Sequence, residues 1–249
     1  MASRKQEREK LRQERERAQA AASSSERKRL FLGYGVAGVI TLLVVVGIVF
    51  LVTGGGSDGG SSGGAGGDRL NEAFGIQPEG VLVDDRESTP APTNGALDLQ
   101  EAADAASCEL LLDQKDEGST HVADVSELPD YKTNPPSSGD HFPDPLADGA
   151  FSTAPGPENY IHALEHGRIE IQYLPSLAEE AQLELLGLYD EDPAGMIVFP
   201  NPDLPFEVGA TAWTQTLACD SYDGATTLDA IRAFRDEFRA RGPEPIAMG

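Results

Sequence analysis

The 249-residue chain carries 42 Asp and Glu against 19 Lys and Arg, a formal net charge of −23. That sum joins two opposite regimes. Residues 1–29 hold ten basic side chains and five glutamates, while the rest of the chain holds nine basic and 37 acidic ones. Beyond residue 29, so acidic a surface excludes electrostatic binding to nucleic acid or to anionic headgroups, which require a basic counter-patch.

The amino-terminal tail, residues 1–29, mixes both signs around every helical face and carries neither aromatic residues nor a nucleic-acid reading motif. It is expected to be a solvated helix or a disordered segment. Residues 30–52, LFLGYGVAGVITLLVVVGIVFLV, contain no charge. As a helix these 23 residues reach about 34 Å, enough to cross a bilayer with some tilt. The run exceeds the apolar core of a cleaved signal peptide and leads straight into TGGGSDGG, so an uncleaved signal anchor is expected. Basic residues abut only its amino-terminal side, which predicts a single-pass plasma-membrane protein with a cytoplasmic amino terminus and an extracytoplasmic carboxy-terminal domain. An envelope protein is the partner class this placement suggests.

Residues 53–97 form a tether and arm. TGGGSDGGSSGGAGG is flexible, with a root-mean-square reach of about 20 Å, and the arm behind it reads as irregular, with an edge strand at EGVLV. Residues 98–249 have a globular texture. LDLQEAADAAS predicts a helix, CELLL a short buried strand, and residues 107–161 a long Pro/Gly-rich loop of the kind that tends to be functional. PENYIHALEHG predicts a short helix with Pro157 in its first turn and Gly167 past its end. RIEIQYLP predicts a half-buried strand with Ile169, Ile171 and Tyr173 inward. SLAEEAQLELLGLY predicts a helix capped by Ser176 with Glu179 completing a capping box. GMIVFP and EVGATAWTQTLAC predict one strand each, and TTLDAIRAFRDEFRARG an amphipathic helix with Ile231, Phe234 and Phe238 inward and Gly242 as its stop. Strands alternating with helices predict a single α/β or α+β domain.

Two cysteines, Cys108 and Cys219, both fall in the exported part, which favours a disulfide, with thiolate ligation of a soft metal as the alternative. The four histidines, His121, His141, His162 and His166, lie within 46 consecutive residues. His162 and His166 are one helical turn apart and are expected to face one cation together. Pro135, Pro136 and Gly139 shape the turn that carries His141, and His121 sits in GSTHV. Three or four imidazoles suit zinc or copper. Copper(I) would call for Met or Cys, yet Met1, Met196 and Met248 all lie outside the group, so zinc or copper(II) is favoured. Glu165, Asp140 and Glu158 are candidates to hold the non-ligating ring nitrogens.

The ordered set H-V…Y-x-x-x-P-P-S-S-G-D-H-F-P…H-A-L-E-H-G-R-I-x-I-x-Y resembles the signature of an uncharacterised bacterial family, domain of unknown function 3105, over roughly residues 103–219. The resemblance implies a membrane-anchored, exported domain with a basic amino terminus, and brings no assigned reaction. HALEH also spells the H-x-x-E-H pattern of a zinc peptidase class, with Glu165 as base and Glu237 as a formal third ligand. The immediate stop at Gly167 and the modest domain size speak against that reading. Metal binding through the histidines is the leading expectation, ahead of an envelope interaction or scaffold domain with structural histidines. Catalysis is not the favoured reading.

Overall fold

The computed structural model describes residues 69–247. The basic tail, the apolar run and the Gly/Ser tether lie outside the described residues, as does Met248. Among the described residues no helix is long and apolar enough to cross a membrane.

The described part is an α+β fold with four α-helices around one seven-stranded mixed sheet. In chain order the strands are β1 (Leu70–Asn71), β2 (Glu109–Leu111), β3 (Asp148–Ala150), β4 (Ile169–Tyr173), β5 (Met196–Pro200), β6 (Val208–Ala212) and β7 (Gln215–Cys219). The helices are α1 (Leu99–Ala106), α2 (Pro157–Glu165), α3 (Glu179–Glu191) and α4 (Gly224–Phe238). The sheet order is β1-β3-β5-β4-β6-β7-β2, with β5 parallel to both β3 and β4 and every other pairing antiparallel.

Central β4 is buried on both faces, where alternation alone predicted one. Ile169, Ile171 and Tyr173 join Val198, Ala210, Leu217, Leu185, Ile231 and Phe234 in a core beneath α1, α3 and α4. Fully burying each such Leu, Ile or Phe contributes roughly 1.5–3 kcal/mol. The other face holds Ile197 and Phe199 against Tyr160, Ile161 and Leu164 of α2. Polar Glu170 and Gln172 point to this second face and are buried with it, which the period-2 pattern does not reveal.

Burial raises the Glu170 carboxyl well above its ordinary range. Gln172 Nε2 donates to its Oε2 at 3.1 Å, and Oε1 has no hydrogen-bond partner among the described residues. The unfolded-state value is about 4.3, so the group costs no stability below that pH. As pH rises the unfolded chain ionises while the folded chain stays protonated, and stability falls by about 1.4 kcal/mol per pH unit until the folded value is passed. Glu170→Gln is therefore expected to raise the melting temperature at pH 7–8, with the gain vanishing near pH 4. Melting curves across that range check it, and a gain that persists at pH 4 would assign the effect to packing.

Several local expectations are corrected by the packing. The segment 207–219 is a hairpin, not one strand, because Trp213 and Thr214 turn the chain with Thr214 at φ 59°. The capping box fails: α3 begins at Glu179 behind Ala178, with no side-chain cap. β2 is a half-exposed edge strand, not a buried one. The arm before residue 98 is packed into the domain. β1 pairs with β3, Val83 bridges to Phe151, and Arg69 forms an ion pair with Asp190 at 2.8 Å. α4 buries Ile231 and Phe234 with Phe238 partly covered, as its spacing predicts, and ends at Phe238. Gly242 serves elsewhere, since a Cβ there would collide with the Glu165 carbonyl at the end of α2. The two cysteines form a disulfide, Cys108–Cys219.

Candidate metal centre

The site is assembled from the last turn of α2 and two loop segments laid over it. Pro157 occupies the first turn of α2 and the helix ends at Glu165, with Gly167 at φ 80° reversing the chain. Residues three apart share a helix face, so His162 and Glu165 project together.

The 118–122 segment lies alongside 139–142, with His121 bridged to His141. Gly139 N donates to Gly118 O at 2.9 Å, His141 N to Thr120 O at 3.1 Å, and Val122 N to His141 O at 2.8 Å. Asp140 Oδ1 accepts from Thr120 N at 3.0 Å, so this carboxylate fastens the two segments and does not hold a histidine ring. Phe142 N donates to the Glu158 carbonyl at 2.7 Å, and it is this main-chain group of Glu158, not its carboxylate, that docks the loop onto α2. On the opposite side Thr214 N, in the hairpin turn, donates to Ser137 O at 2.9 Å.

Three imidazoles and one carboxylate converge inside this frame. His121, His141, His162 and Glu165 each present one ligand atom, and all four atoms lie within 4.8 Å of one another. Glu165 Oε2 stands 3.2 Å from His141 Nε2, 3.9 Å from His121 Nε2 and 4.0 Å from His162 Nε2. The ring centroids of the three histidines are 4.6–5.0 Å apart. Donors around a four-coordinate ion bound at about 2.1 Å are themselves roughly 3–4 Å apart, and the three distances from Glu165 Oε2 fall in that range.

The tautomers are fixed from outside the cluster. His141 Nδ1 contacts Gly139 O at 2.8 Å, and His162 Nδ1 contacts Phe142 O at 2.7 Å. A carbonyl oxygen only accepts, so each Nδ1 carries the proton and each Nε2 turns a lone pair inward, the arrangement that metal-bound histidines require. Burial pushes the His141 ring below its ordinary value, and burial together with the neighbouring His141 pushes His162 down to about 4. Both rings are therefore neutral at physiological pH. His141 Nε2 is buried with no hydrogen-bond partner among the described residues, and it faces a carboxylate oxygen 3.2 Å away. Two acceptors face each other across that gap, and a cation between them removes the conflict.

Two sequence expectations shift here. Glu165, expected to orient a histidine, instead aims its own carboxylate into the ring of imidazoles. His166, expected to share the ion with His162, is the cap residue beyond α2 and stands outside the convergent group. Its ring stands 4.6 Å from that of His162, tilted by 39°, while its Nδ1 donates to Glu244 O at 2.7 Å and ties down the carboxy-terminal segment. One of the two histidines of the peptidase pattern therefore lies outside the convergent group. Trp213, which carried no motif, closes the site by standing edge-on to His141 at 6.4 Å.

Gly139 is the backbone position on which the loop depends. It adopts φ +134°, and a Cβ there would meet the Tyr131 ring at 2.7 Å, while its carbonyl orients His141. Gly139→Ala is expected to cost about 1–3 kcal/mol of stability. Misdirecting a ring in this way should also weaken metal binding on the order of 10–100-fold. A denaturant midpoint and a metal titration check the two parts separately.

No curated protein and no solved structure matches the chain. The model of a family described as protein of unknown function (DUF3105) matches residues 121–248, a stretch that opens on His121 and takes in all four histidines and Cys219 but not Cys108, and the chain belongs to that family.

Proposed function

We propose that this chain is a single-pass, membrane-anchored protein whose extracytoplasmic domain binds one divalent transition ion, zinc or copper(II), through His121, His141, His162 and Glu165. The observation that carries this reading is the pair of inward Nε2 lone pairs, locked by main-chain carbonyls, facing a buried carboxylate. A nitrogen-rich set with one carboxylate and no sulfur suits those two ions and disfavours calcium, magnesium and copper(I). The anchor rests on the uncharged run at residues 30–52 behind a basic tail. A domain tethered near the membrane is placed to exchange its ion with an envelope protein.

The test is metal content. Full-length protein purified under mild conditions should retain close to one equivalent of zinc or copper by mass spectrometry, and His162→Ala should lose it. Wild-type protein that neither retains nor takes up either ion would refute the reading.

A further inference from the structure

We propose that His121 is the exchangeable ligand of this site, the position through which the ion enters and leaves and which an outside nitrogen or anionic donor takes in its place. This rests on the metal-binding reading above and adds a direction to it.

The four donors are not equivalent. The side chains of His141, His162 and Glu165 are 0 %, 4 % and 3 % exposed, whereas that of His121 is 48 % exposed. His141 sits on a turn bound on both flanks, and His162 and Glu165 sit on a helix packed against the sheet. The second ring nitrogen also separates them. His141, His162 and His166 each donate Nδ1–H to a main-chain carbonyl, whereas neither ring nitrogen of His121 makes a hydrogen bond among the described residues. Its backbone is pinned through Thr120 and Val122, so the ring is delivered to the site yet remains free to turn about its own side-chain bonds.

A ligand whose outer ring nitrogen faces solvent is held less firmly than one fastened to a main-chain carbonyl. Three preorganised donors with one solvent-facing, unrestrained donor form a site that holds an ion while leaving one coordination position open to exchange. The exchange is a simple substitution. An incoming lone pair bonds to the ion as the bond from His121 Nε2 breaks, the departing imidazole is neutral, and no electrons are transferred. The same exposure fixes the side of approach, because of the four donor side chains only that of His121 meets solvent.

Cobalt(II) serves as a visible probe in the full-length protein. Wild type should bind one equivalent with the intense bands of a four-coordinate ion. His121→Gly should bind at least ten-fold more weakly with altered bands, and millimolar imidazole should restore both affinity and spectrum. His141→Gly, the same change at a buried non-helical position, should not be rescued, nor should His162→Ala, which covers the case in which His141→Gly fails to fold. An unaltered cobalt spectrum in His121→Gly would remove His121 from the ligand set. Equal rescue of His121→Gly and the buried variants would show that the His121 position is not singled out, and either result overturns the proposal. Absence of cobalt, zinc and copper binding in wild type is a different failure, that of the metal reading itself.

Discussion

Stripping the ion with a chelator is expected to lower the melting temperature by roughly 8–16 °C. A ligand held 1,000-fold above its Kd stabilises the native state by about 4 kcal/mol, and each kcal/mol shifts the melting of a domain this size by about 2–4 °C. The frame that creates the site connects binding to folding. Residues 118–122 and 137–142 have little core of their own and are held to α2 and the hairpin turn by main-chain hydrogen bonds. An ion joining His121 and His141 to His162 and Glu165 would add the link that those loops otherwise lack.

Glu165→Gln separates a metal site from a merely polar cluster, because its two effects have opposite signs. The substitution removes a carboxylate donor, so the stabilisation by zinc or copper should largely disappear. In metal-free protein it replaces an acceptor facing His141 Nε2 at 3.2 Å with an amide able to donate to that lone pair. Relief of a buried unsatisfied acceptor is worth about 1–3 kcal/mol, so metal-free Glu165→Gln should melt higher than metal-free wild type. Thermal unfolding of both proteins, with and without chelator, gives the four curves required. If Glu165→Gln retains the full metal-induced shift, Glu165 is not a ligand.

How much of this was legible in the sequence depended on whether the determining force was local. α2 was readable because Pro157 and Gly167 act through their own backbone preferences, and β5 because MIVFP is short, apolar and β-prone. The inward face of α4 was readable from spacing alone. The hairpin at Trp213 was missed because Thr214 adopts a positive φ without a Gly or Asn to announce it. The double burial of β4 was missed because α2 returns to cover Glu170 and Gln172, and nothing near those residues encodes that. In the site, clustering identified the histidines, but sorting them required the fold, because it is the packing of two loops on α2 that decides which rings converge on Glu165. His166, outside that group, donates Nδ1–H to the carbonyl of Glu244, 78 residues away, and Gly242 passes close beside the Glu165 carbonyl. Glu165 lies three residues after His162, the helical spacing that puts both side chains on one face.

Opening the Cys108–Cys219 disulfide is expected to destabilise the domain by up to about 4–5 kcal/mol and to weaken the metal site with it. The bridge spans 111 residues of sequence, and closing a loop that long removes much of the unfolded chain's freedom. What it secures is poorly secured otherwise. β2 is a three-residue edge strand paired only to β7, and α1 before it buries just Ala102, Ala103 and Ala106. The chain leaving β2 runs through Gln114, whose N–H donates to Thr214 O, and then into the segment that carries His121. Once β2 is loosened, His121 and the contacts that pin its backbone lose their anchorage, while His162 and Glu165 on α2 stay in place. The paired substitution Cys108→Ser with Cys219→Ser, compared with wild type by denaturant titration and by zinc titration, should therefore show both a lower unfolding free energy and a higher Kd. Proteolysis should begin between Ala96 and Asp116 in the variant. Full metal affinity in a variant that has lost several kcal/mol of stability would show that the site's frame is held by α2 and the hairpin alone.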